Sequence, residues 1–264
     1  MKLGRLKSED LNNNYRGEAL LHHACNYGQT DIVKLLCESG AACTVGDKKG
    51  LMPVWKAIQS GNLEMTKMLY SRGAKIDLNK SGISALCLAS WQGNAKVVNF
   101  LLEQGVADQI NRPDEEGFTP LYVAVMHNNT LVVQRLVEAG ACINTRSYEG
   151  RTPVWAAASR GLCTILEYLI LNGGAASLTI GDNSGLTPYV AAMHKSRTET
   201  MQYLTSEQVR REANWLRRKN YIMFITGIGK LIVASEGAMG DGRPNFATVL
   251  YTNKDMQYEI ASFL

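Results

Sequence analysis

The side chains best equipped for chemistry in this sequence are four histidines, His22, His23, His127 and His194, and six cysteines, Cys25, Cys37, Cys43, Cys87, Cys142 and Cys163. A zinc site needs such ligands at short, fixed spacings. The cysteines form no C-x-x-C pair, and among the histidines only His22 and His23 lie close together. Neighbours on a helix point about 100° apart, so that pair is poorly placed to share an ion. The segment Gly227-Ile228-Gly229-Lys230-Leu231 invites a phosphate-loop reading. That loop requires a glycine five positions before its last glycine and Ser or Thr after the lysine, where Phe224 and Leu231 stand. Gly237, Gly240 and Gly242 run in the wrong order for a dinucleotide fingerprint. No serine elbow, kinase set or metalloprotease motif is present. The sequence is read as a non-enzyme with no cofactor and no metal.

What remains is surface chemistry. Large amphipathic side chains and arginines dominate protein interfaces because they desolvate well and pair with carboxylates, and Trp91, Phe118, Met126, Tyr148, Arg151 and Arg160 are of that kind. The balance of 28 basic against 24 acidic residues gives a net charge of +4, so nucleic-acid binding is not expected. The 264 residues, 45% hydrophobic, are enough to bury a core. No run approaches the roughly 20 apolar residues of a spanning helix. Residues 1–16 hold no apolar stretch of signal-peptide length, and the cysteines are too scattered to read as a disulfide framework. A cytoplasmic protein with reduced thiols is expected, nuclear residence remaining open.

The elements that would position these side chains follow from a repeat. Gly17, Gly50, Gly82, Gly117, Gly150 and Gly185 fall 32 to 35 residues apart. The segments after them read EALLHHACNYG, LMPVWKAIQSG, ISALCLASWQG, FTPLYVAVMHN, RTPVWAAASRG and LTPYVAAMHKS. Thr119-Pro120, Thr152-Pro153 and Thr187-Pro188 predict helix starts, with threonine as cap and proline in the first turn. Ala24, Ala57, Ala89, Ala124, Ala157 and Ala191 predict close stacking of successive first helices. A second helix follows in each unit, and Gly40, Gly73, Gly105, Gly140 and Gly173 suit its left-handed cap. The surplus residues in VADQINRPDEEG and GAASLTIGDNSG are expected to lengthen two fingertips.

These segments resemble the ankyrin repeat. The resemblance implies an all-α solenoid of helix-turn-helix repeats with hairpin fingers, here six repeats over residues 15–206 after an N-terminal lead at 1–14. The family histidine after the T-P step stands only at His22, where Ala19 replaces the threonine, and Trp55, Cys87, Tyr122, Trp155 and Val190 occupy the other five positions, so the internal threonine-to-histidine hydrogen bond is expected to be missing and apolar packing to replace it. The resemblance also implies that another protein binds across the fingertips and the concave face of the first helices. Carried over by position, the candidate partner-binding residues are Tyr27, Trp91, Phe118, Met126, His127, Tyr148, Arg151 and Arg160, with His194 and Lys195 at the matching places of the last unit.

Beyond residue 206 the period stops, and residues 207–264 form a C-terminal extension of unknown role. TSEQVRREANWLRRKN reads as a basic helix with Arg210, Arg211, Arg217, Arg218 and Lys219, and with Val209, Ala213 and Leu216 on an apolar edge. YIMFITGIGKLIVA is either a broken continuation of it or a strand pair, and a last amphipathic helix is expected after Thr252. The favoured function is a non-enzymatic protein-interaction module. The alternative is an adaptor whose basic tail recruits a ubiquitin ligase or contacts a membrane surface.

Overall fold

The computed structural model describes residues 19–48, 50–76, 83–206, 209, 232–233 and 249–250. Among them are six consecutive helix pairs: Leu20–Asn26 with Thr30–Glu38, Pro53–Gln59 with Leu63–Ser71, Ala85–Gln92 with Ala95–Glu103, Pro120–Met126 with Thr130–Glu138, Pro153–Arg160 with Cys163–Leu171, and Pro188–His194 with Thr198–Leu204. The chain divides into two units, Met1–Ala213 and Asn214–Leu264. In the second, Ile232–Val233 pairs antiparallel with Val249–Leu250. No helix of the described residues is long and apolar enough to cross a membrane.

Four of the six first helices start where a side chain satisfies an orphan amide, and those preceded by Ala19 and Met52 do not. Thr119 accepts from the Tyr122 amide at 3.3 Å, Thr152 from Trp155 at 3.2 Å and Ser84 from Cys87 at 3.0 Å. Pro53, Pro120, Pro153 and Pro188 occupy the first turn, where a missing N–H costs nothing. The first five second helices end on glycines held at positive φ, from 81° at Gly105 to 109° at Gly173, and the sixth ends at Thr205.

Packing then fixes the array. Ala57, Ala89, Ala124 and Ala157 are fully buried on the first helices, which lie against one another more closely than the second helices do. On the second helices one position of each repeat holds Leu36, Leu69, Leu101, Leu136 and Leu169, all buried. Each such leucine contributes about 1.5–3 kcal/mol relative to exposure. Because each repeat touches only its neighbours, this ladder is what propagates order along the array.

The surplus residues of the third and fifth repeats do not lengthen the fingertips. They wind into short 3-10 turns, Val106–Gln109 and Gly174–Thr179, at the base of the fingers. Val106, Ile110 and Ala175 are buried there, so apolar burial draws the extra chain inward.

Candidate functional site

Two groups of side chains stand out on the first-helix side of the array. The first runs across the C-terminal ends of three successive first helices. The Trp91 ring lies 5.5 Å from that of His127, tilted by 36°. Burial holds His127 below the usual imidazole pKa, and the neighbouring Arg160 cation lowers it further. Trp91, His127 and Arg160 are all exposed and Met126 is half-buried. In the next repeat the Arg197 side chain lies against the Gly161 turn that follows Arg160. Tyr27 occupies in the first repeat the place that His127 and Arg160 occupy in theirs, and is 73% exposed.

The second group ties the fingers to the helices. Phe118 stacks on Tyr122 at 4.6 Å with ring planes 10° apart. The Arg151 guanidinium sits 4.6 Å above the Trp155 ring, pairs with the Glu149 carboxylate and lies 3.7 Å from the buried Asp182 carboxylate. Burial pushes the Tyr122 hydroxyl up to about 12, with the Arg151 charge pulling the other way. The Tyr148 amide donates to Glu116 across the fingers at 3.3 Å while its ring is 69% exposed. Arg151 and Phe118 are thus already engaged within the fold, whereas Trp91, His127, Arg160, Tyr148 and Tyr27 are exposed. The sequence-predicted residues therefore do not form one patch, and the row through Trp91, His127 and Arg160 is the continuous one.

Polar ladders that spacing alone did not reveal hold this surface rigid. Asn62, Asn94 and Asn129 precede three second helices. Asn62 and Asn94 accept from the amides of Met65 and Val97 at 3.0 and 3.1 Å. With the amide nitrogen each reaches back one repeat: Asn62 to the Thr30 hydroxyl at 2.7 Å, Asn94 to the Gly61 carbonyl at 2.5 Å, and Asn129 to the Ser90 and Trp91 carbonyls at 2.7 and 3.0 Å. Asn129 thereby fixes the backbone that carries Trp91. The signal was present as an asparagine recurring before the second helix, but its partner one repeat away was not.

In two repeats the ring at the family histidine position makes a hydrogen bond to the finger of the next repeat. His22 Nε2 lies 2.9 Å from the Leu51 carbonyl, and Trp155 Nε1 donates to the Leu186 carbonyl at 2.8 Å. Indole can replace imidazole because both carry a ring N–H at comparable reach. All six cysteines are free thiols, with Cys37 and Cys43 Sγ atoms 3.4 Å apart in the interior. No group of three or more metal-ligating side chains forms among the described residues. The tail candidates Arg210, Arg211, Arg217, Arg218 and Lys219, the N-terminal lead, and the helix expected after Thr252 lie outside the described residues. Val209, placed on the apolar edge of that tail, is buried.

The family model for ankyrin repeats, three copies long, matches residues 3–80 and 76–147. The chain is 30% identical over 197 residues to the B-cell lymphoma 3 protein homolog of Mus musculus, covering 72% of this chain and 43% of that protein. It is 33% identical over 135 residues to the potassium channel AKT2/3 of Arabidopsis thaliana, covering 50% of this chain and 16% of the channel. It is 30% identical over 155 residues to the palmitoyltransferase AKR1 of Lachancea kluyveri, covering 55% of this chain and 21% of the enzyme. The chain spans less than half the length of each of these relatives. What it has in common with them is the repeat architecture, a fold that generally mediates protein-protein interaction, and the chain belongs to the ankyrin-repeat family.

Proposed function

We propose that the six helix pairs are six ankyrin repeats acting as a non-enzymatic module that binds a partner protein on the concave face of the first helices. The observation that carries this reading is the row Trp91, His127 and Arg160, exposed side chains from three successive repeats brought side by side. Asn129 holds the Trp91 carbonyl, so the anchor is set before a partner arrives and little ordering cost attends binding. The fingertip residues Tyr148 and Phe118 extend the contact, and Arg151 supports it from within through Trp155. The non-enzymatic part of the reading rests on the glycine, histidine and cysteine patterns, none of which completes a catalytic motif.

Selection of a random dodecapeptide library on the intact chain tests this, with hydrogen exchange of the complex to locate the peptide. Protection is expected in the first helices and their turns, and the variant with Trp91, Met126 and Arg160 changed to alanine should lose the selected peptides while keeping its circular dichroism. Protection confined to the second helices would overturn the reading.

A further inference from the structure

The first helices and the turns that follow them differ from the rest of the chain in charge. Each repeat contributes eleven residues to this layer: 19–29, 52–62, 84–94, 119–129, 152–162 and 187–197. Together they make up a quarter of the 264 residues and contain none of the chain's 24 Asp and Glu residues. They do contain Lys56, Arg160, Lys195, Arg197 and all four histidines. Burial does not account for the missing carboxylates. The layer is open to solvent at Asn26, Gln29, Gln59, Ser60, Gln92 and Asn128, and neutral polar side chains stand at each. The second helices, by contrast, mix both signs: Asp31 with Lys34, Glu64 with Lys67, and Arg135 bonded to Glu138 at 3.0 Å.

The positive charge is not evenly spread. Arg160, Lys195 and Arg197 are exposed in the last two repeats, with Arg197 folded over Gly161 beside Arg160. Met126 and Trp91 lie one and two repeats back from Arg160. The fingertip of the fourth repeat carries the exposed carboxylates Glu115 and Glu116, whereas Glu149 of the next is paired with Arg151. An occupant therefore meets aromatic and thioether surface first and cations next, with like-charge repulsion keeping an acidic one off the fingertips and on the helix ends.

We infer that this surface takes an acidic peptide segment, lying across repeats three to six with an apolar side chain at Trp91 and Met126 and its carboxylates at Arg160, Lys195 and Arg197. Guanidinium groups pair carboxylates bidentately, which fixes the direction of the segment as well as its charge. The inference rests on the concave-face reading above and adds the chemistry of the partner to it.

The test uses the clones enriched on the intact chain from the same dodecapeptide library. Sequencing should show Asp and Glu enriched over the naive library together with one aromatic or aliphatic position, and fluorescence anisotropy of the leading peptide should show at least tenfold weaker binding to an R160E/R197E variant. A K34E/K96E variant, altered on exposed second-helix positions, should bind within twofold of the unaltered chain. Raising salt to half-molar should weaken the interaction severalfold. Enriched clones that are neutral or basic but still protect the first helices would overturn the acidic specificity and leave the concave-face reading standing. Equal loss in both charge-reversal variants, no enrichment, or tighter binding of a twelve-nucleotide oligothymidine than of the leading peptide would also overturn it.

Discussion

Trp155 donates its indole N–H to the carbonyl of Leu186 at 2.8 Å, the position in the following repeat that matches Leu51, whose carbonyl His22 meets at 2.9 Å. Two unlike rings thus make one tie, from a first helix to the finger of the next repeat. In the fifth repeat that tie has a second layer, because Arg151 covers the outer face of the indole and reaches toward Asp182, whose carboxylate in turn accepts from the amides of Ser184 and Leu186 at 2.9 and 3.0 Å. The link between the last two repeats is therefore polar at its centre and screened from water by a cation.

Trp155→Phe should break the tie while keeping an aromatic ring for Arg151 to cover, losing the donor together with part of the ring's packing. A loss of about 1 kcal/mol in urea unfolding is expected, the usual net value of one such bond. Amides of residues 188–204 should exchange faster than in the parent chain, since a repeat array loses order at its weakest interface first. An unfolding midpoint equal to that of the parent would mean the bond contributes nothing.

Asn94 has two functions that substitution can separate. Its oxygen caps the second helix at Val97 and its nitrogen holds the Gly61 carbonyl of the preceding repeat. Asn94→Asp keeps the acceptor and loses the donor, whereas Asn94→Ala loses both. Stability should fall in the order parent, aspartate, alanine, with the alanine variant down by about 2 kcal/mol. If the two variants unfold together, the cap is without value and the inter-repeat bond carries the whole effect.

These two positions show where the sequence is legible and where it is not. Thr119-Pro120 and Thr152-Pro153 announced their helices because capping is a local rule, settled within one turn. Asn94 and Trp155 were visible as residues but not as links, since their partners, Gly61 and Leu186, lie 33 and 31 residues away. The same limit governs the surface. Placing Trp91, His127 and Arg160 by register brought them together, but that Arg151 would be held by Trp155 and Glu149, or that Arg197 would fold back over Gly161, depends on side-chain direction across repeats. The surplus around Val106 and Gly174 was misplaced to the fingertips because length says nothing about which way the extra chain turns.

The turn between paired helices supplies a third prediction. Gly28, Gly61, Gly93 and Gly161 hold φ between 68° and 77° there, and the matching places in the fourth and sixth repeats are Asn128 at 56° and Ser196 at 53°. Asparagine tolerates this left-handed conformation through local hydrogen bonding, and serine does so less well. Ser196→Gly should raise stability by up to about 1 kcal/mol, read as a higher urea midpoint, whereas Asn128→Gly should change it less. A Ser196→Gly chain that unfolds earlier than the parent would show that the serine makes a contact worth more than the strain.

The buried thiols predict an alkaline weakness. Burial pushes Cys25 and Cys87 up to about 12 from 9.0, with the nearby Cys43 thiol adding to the first and the Asp114 carboxylate to the second. In the unfolded chain both ionise near the ordinary value, so above pH 9 the unfolded state has released protons that the folded state still holds. Stability therefore falls as pH rises, and by pH 10 each thiol accounts for about 1 kcal/mol of the loss. Urea midpoints taken between pH 8 and 10 should decline for the parent chain and decline less steeply for Cys25→Ala/Cys87→Ala, which starts lower because two buried sulfurs leave small cavities. Parallel slopes would show that these two thiols are not what titrates. A shallower slope in the double variant, beside an unchanged one in Cys142→Ala, would place the weakness in the core, since Cys142 is exposed.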